Sequence, residues 1–188
     1  MAWTHLATNE GSGTSLNFTG ISQSYKHLMF KGHGSSSGRH NSSTQYEYDY
    51  AEITFNSDTT QYDYQYCGSL YNNSDSFSGG GNVANQTSIS TYCMIQYGDT
   101  YAATGTQQSP CFGDFEFWIF DYTATGSYDH SYYGLFHCVG DNDTDYWGRG
   151  AVWGVYSGGA AITSVQFGLE AGSWESHSII SMYGLEGT

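Results

Sequence analysis

The stretch Thr163-Ser-Val-Gln-Phe-Gly-Leu169, the turn Gly172-Ser173 and the stretch Ser178-Ile-Ile-Ser-Met-Tyr-Gly-Leu185 decide the fold class. Apolar residues alternate with polar or small ones in both stretches, which is typical of β-strands with one buried face. Gly and Ser at the connection favour a tight turn. The sequence therefore predicts a C-terminal β-hairpin that places the end of the chain in a sheet.

Short strand patterns separated by Gly, Ser and Asn clusters recur along the rest of the chain. They predict an all-β fold: an antiparallel, jelly-roll-like β-sandwich of about nine short strands with long polar Gly/Ser/Asn loops. We expect a single domain that covers residues 1–188. The predicted strands outside the hairpin are 16–18, 25–31, 46–55, 62–66, 87–97, 115–120, 131–139 and 151–156. The predicted loops are 32–43, 72–85 and 140–150.

The run Phe115-Glu-Phe-Trp-Ile-Phe120 is the most apolar segment of the chain. A short apolar run of this kind predicts a central strand that is buried on both faces. The segment 131–139 is expected to pair with it across the turn at 125–129.

The alternation in Tyr46-Glu-Tyr-Asp-Tyr50 changes phase near Ala51, after which Ile53 and Phe55 carry the apolar face. One extra residue in a strand produces such a change. The sequence therefore predicts a β-bulge at this point.

The composition is strongly acidic, with 18 Asp and Glu against four Lys and Arg and a formal net charge of −14. Such a chain repels phosphate backbones and anionic bilayers, so we expect no nucleic-acid partner and no membrane partner. The first ten residues lack the basic region and the apolar core of a secretory signal. No apolar run approaches the roughly 20 residues of a membrane span. The sequence predicts a protein made in a cytoplasm without a signal peptide.

Four cysteines, Cys67, Cys93, Cys111 and Cys138, lie at wide intervals. Without a C-x-x-C pair, this spacing does not fit a zinc cluster. Buried free thiols in strands are the favoured interpretation. One or two disulfides, formed after release from the cell, are the alternative.

The sequence contains no recognisable catalytic motif. Its seven histidines show no H-E-x-x-H or comparable ligand spacing, and Ser, His and Asp are plentiful without forming a recognisable triad. The acid pairs Asp114/Glu116 and Asp49/Glu52 offer the two carboxylates that a glycosidase needs. Nothing in the sequence places either pair in a cleft, so we expect no catalytic residues and no enzymatic activity.

The segment Asp141-Asn-Asp-Thr-Asp145 carries carboxylates at alternate positions, namely Asp141, Asp143 and Asp145. Carboxylates so spaced can point at one Ca²⁺, although the Gly and Glu that complete an EF-hand loop are missing. A solvated acidic turn is the favoured interpretation, and an irregular structural Ca²⁺ site is the alternative. No other cofactor is expected.

Aromatic residues are abundant, with 18 Tyr, 10 Phe and 5 Trp. Exposed rings stack on sugars and anchor protein interfaces. Four aromatic residues at or near predicted loops are candidate glycan or partner contacts: Tyr146, Trp147, Trp153 and Trp174. Tyrosines also alternate along 46–50 and 62–66. Burial in the core is the favoured interpretation of these stripes, because strands with polar alternates bury their aromatics; an exposed tyrosine ladder is the alternative.

Four segments occur in a recognisable order along the chain: Phe18-Thr-Gly-Ile-Ser-Gln-Ser-Tyr-Lys-His-Leu28, Ile53-Thr-Phe-Asn-Ser-Asp-Thr-Thr-Gln-Tyr62, Phe112-Gly-Asp-Phe-Glu-Phe-Trp-Ile-Phe-Asp-Tyr122 and the C-terminal strand pair. In this order the chain resembles the short β-sandwich structural proteins of tailed bacteriophages, such as capsid decoration and fibre-type surface proteins. It departs from their pattern at Ser22, where Pro is usual, and at Ser57 and Thr60, which replace turn glycines.

The resemblance implies a non-enzymatic virion surface protein, either a capsid decoration or cement protein or a component of a head or tail fibre. Such a protein would be located in the virion and would assemble with other virion proteins, as a homotrimer, through aromatic-rich strand faces with acidic loops exposed. The alternative is a carbohydrate-binding or host-receptor-binding adhesin module of the tail. In that case the predicted loops would bind a glycan on the host surface.

Overall fold

The computed structural model describes residues 2–37, 48–71, 76–90, 95–97, 113–127, 129–139 and 147–187. These residues form β-strands and contain no helix, and consequently no helix that could cross a membrane. The strands are β1 (Trp3–Glu10), β2 (Ser15–Thr19), β3 (His27–Ser36), β4 (Tyr48–Asp49), β5 (Ala51–Phe55), β6 (Tyr62–Tyr71), β7 (Ser76–Gln86), β8 (Ile89–Ser90), β9 (Ile95–Tyr97), β10 (Gly113–Ile119), β11 (His130–Val139), β12 (Trp147–Tyr156), β13 (Ser164–Leu169) and β14 (Ile179–Leu185).

Two antiparallel sheets make up the fold. The large sheet has the order β1-β14-β3-β10-β11-β12-β6-β7, and the small sheet has the order β2-β13-β5-β8. The short strand β9 pairs in parallel with β3 and antiparallel with β4. The predicted all-β, antiparallel sandwich is confirmed, whereas its jelly-roll detail stays a prediction. The predicted number of strands was too low, since the described residues alone contain fourteen.

The core lies between the two sheets and is rich in aromatic rings. Phe167 of the small sheet contacts Phe30 and Phe115 of the large sheet, with ring centroids 5.2 and 5.5 Å apart. Phe55 of the small sheet meets Tyr156 of the large sheet at 5.3 Å. Each such side chain removes about 150–250 Å² from water, so these contacts dominate the energy that holds the sheets together.

The predicted C-terminal hairpin is wrong, although both of its strands exist. Strand β13 pairs with β2 and β5 in the small sheet, whereas β14 pairs with β1 and β3 in the large sheet. The connection between them is bound by other parts of the chain: Asp49 accepts hydrogen bonds from the backbone N–H groups of Ala171 and Gly172, and Trp174 exchanges backbone hydrogen bonds with Gly13. The segment is therefore an arch between the sheets.

The apolar run at 115–120 lies in the centre of the large sheet, as predicted. Strand β10 has β3 on one side and β11 on the other, and its predicted pairing with 131–139 is confirmed. Burial on both faces is wrong. Phe115, Phe117 and Ile119 are buried, whereas the alternate residues Glu116 and Trp118 are only half-buried. One face of β10 therefore belongs to the core and the other to the surface.

The predicted loop 72–85 is largely strand, and the predicted loop 32–43 begins as strand. β3 continues to Ser36, and β7 occupies most of the segment 72–85. Gly81 faces the ring of Tyr66 so closely that a Cβ atom would lie 2.8 Å from its hydroxyl oxygen. The glycines of β7 thus serve close packing against β6 and do not mark a loop.

The strand pairings of β4 and β5 show no β-bulge near Ala51, where the chain changes its pairing partners instead. Strand β4 ends at Asp49 and pairs with β9, whereas β5 begins at Ala51 and pairs with β13 and β8. The buried positions keep one phase across Tyr50, since Asp49, Ala51, Ile53 and Phe55 are all buried. The apolar pattern of the sequence changes phase because an aspartate occupies the buried position before Ala51.

Candidate binding face

The large sheet has one face toward the core and one toward the surface, and we call the latter the outer face. Strict alternation along β11 buries Tyr132 and Phe136 and exposes Tyr133 and Leu135. The strand register fixes which outward residues are neighbours. Trp118 of β10 lies opposite Tyr133 of β11, and Tyr133 lies opposite Trp153 of β12. These three residues form the aromatic row of the outer face.

The aromatic row is unusually open for large apolar side chains. Tyr133 is 36% exposed, Trp153 is 38% exposed, and Leu135, beside Tyr133 on the same strand, is 45% exposed. Other large apolar side chains in the described ranges are less exposed than these three. Neighbouring strands are about 4.8 Å apart, so the row extends about 10 Å across the strands.

Hydrogen bonds hold both indoles of the row in place. The Nε1–H of Trp153 donates to Oε1 of Gln65 on the neighbouring β6, at 2.8 Å. The Nε1–H of Trp118 donates to Oε1 of Glu116, at 2.6 Å, and the other carboxylate oxygen of Glu116 lies 2.9 Å from Nζ of Lys31. Each indole therefore keeps a fixed orientation without a ligand, which reduces the entropy lost on binding.

The carboxylate of Glu116 is stabilised in its ionised form. Partial burial by itself would raise the pKa of Glu116, but hydrogen bonds from Lys31 and Trp118, with the charge of Lys31, outweigh this effect and lower the pKa. The group therefore acts as a fixed negative acceptor for the indole.

Beyond Trp118 the outer face is covered by further aromatics. The ring of Trp3 meets Trp118 edge-on at 5.0 Å, and Phe120 stacks on Trp118 at 6.2 Å. Since β14 and β3 lie between β1 and β10, the Trp3–Trp118 pair spans these strands. Met29, which faces outward from β3, is consequently only 6% exposed. The open part of the aromatic row thus begins at Tyr133 and extends to Trp153 on β12.

A shallow depression adjoins the row between β10 and β11. Its volume is about 290 Å³ and its lining residues are Asp114, Phe115, Glu116, Leu135, Phe136 and His137. Asp114 lies directly opposite His137, and Glu116 lies opposite Leu135. The depression therefore combines an apolar side chain with a carboxylate and an imidazole, next to the aromatic row.

The four predicted contact residues differ in where the structure places them. Trp153 is exposed and belongs to the aromatic row. The prediction for Trp174 is wrong, because its side chain is 1% exposed, belongs to the core and donates from Nε1 to the carbonyl of Phe167. Trp147 begins β12, but its side chain lies outside the described part, and Tyr146 lies outside the described residues altogether.

The proposed calcium ligands Asp141, Asp143 and Asp145 also lie outside the described residues. Within the ranges that are described, no three or more His, Cys, Asp or Glu side chains are grouped so that they could hold a metal ion. The Ca²⁺ alternative therefore stays a prediction.

Of the tyrosine stripe at 62–66, Tyr62 and Tyr64 are buried in the core, which confirms the favoured interpretation there. The stripe at 46–50 is described only in part, with Tyr50 half-buried.

The prediction of buried thiols is wrong for Cys67, which is a free and exposed cysteine on the outer face of β6. Cys93 and Cys111 lie outside the described residues, as does the side chain of Cys138.

In each acid pair, one carboxylate is already engaged by other groups of the protein. Asp49 is fully buried, and its carboxylate accepts hydrogen bonds from four donors: the Ser36 hydroxyl and the backbone N–H groups of Tyr50, Ala171 and Gly172. Its role is to hold the arch. Glu116 has a lowered pKa, the opposite of what a general acid needs at neutral pH. The expectation that the chain is not an enzyme stays a prediction.

Tyr133 and Leu135 were missed by the sequence reasoning, which named Asp114 and Glu116 of the depression only as an acid pair of the kind that a glycosidase needs. Along Ser131-Tyr-Tyr-Gly-Leu-Phe-His137 both alternating sets contain apolar residues, so periodicity alone does not say which set faces outward. Comparison of the chain with family models, with curated proteins and with solved structures found no match. The function is therefore argued from the outer face alone.

Proposed function

We propose that this chain is a non-catalytic carbohydrate-binding protein and that the aromatic row binds the sugar. The observation that carries this proposal is the placement of Trp118, Tyr133 and Trp153 at directly opposed positions on three adjacent strands. The sequence left open a glycan-binding alternative in which the predicted loops bind the sugar. We adopt glycan binding but assign the binding site to a sheet face.

The chemistry of a pyranose ring suits this row. One side of the ring presents C–H groups that pack on aromatic faces, and its edge presents hydroxyl groups that need hydrogen-bond partners. The row supplies rings held by Gln65 and Glu116, and Asp114 and His137 lie beside it in the depression. Small-ligand sites combine apolar walls with a few placed polar groups in this way.

The size of the exposed apolar patch favours a small ligand over a protein partner. An aromatic side chain covers about 150–250 Å², so Tyr133, Leu135 and Trp153 together leave on the order of 200–250 Å² open. A stable protein interface buries about 800 Å² on each partner, of which about 450–500 Å² is apolar. Counted over the side chains that the structure describes, the patch is about half of that size.

The net charge of the chain further limits the class of ligand. A net charge of −14 disfavours polyanions such as nucleic acid at any surface. On the outer face, the negative charge of Glu116 is already paired with Lys31. An uncharged polyol such as a glycan meets no such electrostatic penalty.

A matched pair of tyrosine substitutions tests the proposal. Tyr133→Ala removes the centre of the aromatic row, whereas Tyr183→Ala removes a half-buried tyrosine of β14 on the same face, outside the row. Once a ligand is found on an array of immobilised oligosaccharides, calorimetric titration should show at least about a tenfold loss of affinity for Tyr133→Ala and less than about a twofold change for Tyr183→Ala. Failure to bind any oligosaccharide, or equal losses in both variants, would contradict the proposal.

The virion setting implied by the resemblance stays a prediction, as do the trimer and the partnership with other virion proteins. An assembly role would use the same aromatic face, but the two hypotheses predict different oligomeric states in solution. We expect a monomer in sedimentation-velocity experiments at micromolar concentration. A stable trimer that Tyr133→Ala dissociates would favour the assembly role instead.

A further inference from the structure

The depression next to the aromatic row has the size of a site for one small ring. Its volume of about 290 Å³ lies just below the range of about 300–1,000 Å³ for small-molecule sites. A glycan that stacks on Tyr133 would thus place a single sugar residue against Leu135, with its hydroxyl groups toward Asp114 and His137.

Among the carboxylates of this depression, the two acids have different surroundings. Both oxygens of Glu116 are engaged, one by Trp118 and the other by Lys31. Asp114 is exposed and faces His137 on one side and His33 of β3 on the other. An ionised carboxylate accepts hydrogen bonds through two oxygens, so Asp114 can take both hydroxyl groups of a vicinal diol.

We infer that Asp114 is a specificity-determining residue, which accepts hydrogen bonds from a neutral sugar and repels sugars that carry a carboxylate. This inference rests on the proposed function and names its ligand class: neutral glycans and not uronic acids. A uronic acid would bring a further negative charge close to Asp114, and like charges at short range repel each other.

The test compares uncharged and acidic probes of one length. Hexasaccharides of glucose, mannose, xylose and N-acetylglucosamine are titrated calorimetrically beside hexamers of galacturonic and mannuronic acid. We expect the wild-type protein to bind the best neutral hexamer at least about tenfold more tightly than either acidic hexamer. Asp114→Asn should bind the neutral hexamer about tenfold more weakly and the acidic hexamers more tightly than the wild type does. The ratio of neutral to acidic affinity should therefore fall toward one.

Asp129→Asn is the matched control, because it changes the net charge equally at another exposed aspartate. It should leave the ratio of affinities unchanged, and the thermal unfolding of both variants should match that of the wild type. Equal affinities for neutral and acidic hexamers, or an unchanged ratio in Asp114→Asn, would overturn the role of Asp114 while the proposed function stands. Absence of binding to every hexamer would overturn the proposed function itself.

Discussion

Tyr132 and Tyr133 are neighbours on β11, yet they belong to two different environments. Tyr132 is 2% exposed, stacks on Phe117 at 5.8 Å and donates its hydroxyl to the carbonyl of Asp63. Tyr133 is 36% exposed and lies between Trp118 and Trp153 on the outer face. The residue type is the same, so the alternation of the strand places the two rings on opposite faces, and the packing of the small sheet against one face buries Tyr132 and leaves Tyr133 at the surface.

The inner tyrosines of the core keep their hydroxyl groups satisfied. The Tyr62 hydroxyl accepts from the N–H of Phe55, and the Tyr156 hydroxyl donates to Asp58. Burial raises the pKa of Tyr156 to about 12 and raises the pKa of Tyr62 and Tyr132 even further. These rings remain neutral and fixed, which is what a core requires, whereas the outer rings leave their faces open.

The largest expected effect is a difference in stability between the two neighbours. Tyr132→Ala should lower the free energy of unfolding by about 3–5 kcal/mol, because it opens a cavity between the sheets and removes a satisfied hydrogen bond. Tyr133→Ala should change it by less than about 0.5–1 kcal/mol, because its ring is largely at the surface. Urea unfolding of both variants measures this difference. Similar losses in the two variants would mean that the outer ring also serves the core.

The second-largest expected effect is a loss of stability when the arch that places the small sheet against the inner face is weakened. Asp49→Asn keeps the size of the side chain but replaces one acceptor oxygen with a donor, so at least one of the four donors around it loses its partner. We expect a loss of about 2–3 kcal/mol in the free energy of unfolding, since a buried donor is left unsatisfied. Asp129→Asn, at an exposed position, is the control and should stay within about 0.5 kcal/mol. An unchanged free energy of unfolding in Asp49→Asn would show that the arch is held without this carboxylate.

The arch also shows where sequence reasoning reaches its limit. Alternation is a local property, and it located β13 and β14 correctly because each has a single buried face. Whether two such strands pair with each other depends on distant residues, here Asp49 and Gly13, which take the backbone hydrogen bonds of the connection. No local pattern contains that information, so the hairpin and the arch have the same sequence signature.

The candidate site was predictable only in part for a related reason. Trp153 could be named from its type, but so could Trp174, which the arch buries beside Phe167. Tyr133 and Leu135 were missed because their set of alternate positions is as apolar as the set that contains Tyr132 and Phe136. Only the packing of the small sheet against one face determines which set remains at the surface.

The smallest expected effect is on the pH dependence of stability. Acids on the outward-facing sides of the two sheets should change the free energy of unfolding with opposite signs. Glu116 on the large sheet has a lowered pKa, so it stabilises the folded state above pH 4.5, and this contribution is lost as the pH falls through its folded-state pKa. Glu116→Gln should therefore destabilise the protein at pH 7, and the difference from the wild type should disappear at acidic pH. Because solvent screens the Lys31–Glu116 pair, the loss should stay below about 1 kcal/mol.

Glu52, which faces outward from β5 on the small sheet, should behave in the opposite way. Its pKa is raised by burial and by the charges of Glu170 and Asp49, so its ionised form destabilises the folded state above pH 4.5. Glu52→Gln should therefore stabilise the protein at pH 7 by less than about 1 kcal/mol, and the gain should fade as the wild-type carboxyl becomes protonated. Urea unfolding of both variants at pH 7 and pH 4 provides the measurement. Opposite signs at pH 7 would show that the outer face of the large sheet stabilises ionised Glu116 while the small sheet disfavours ionised Glu52, whereas equal signs would remove this electrostatic distinction between the two positions.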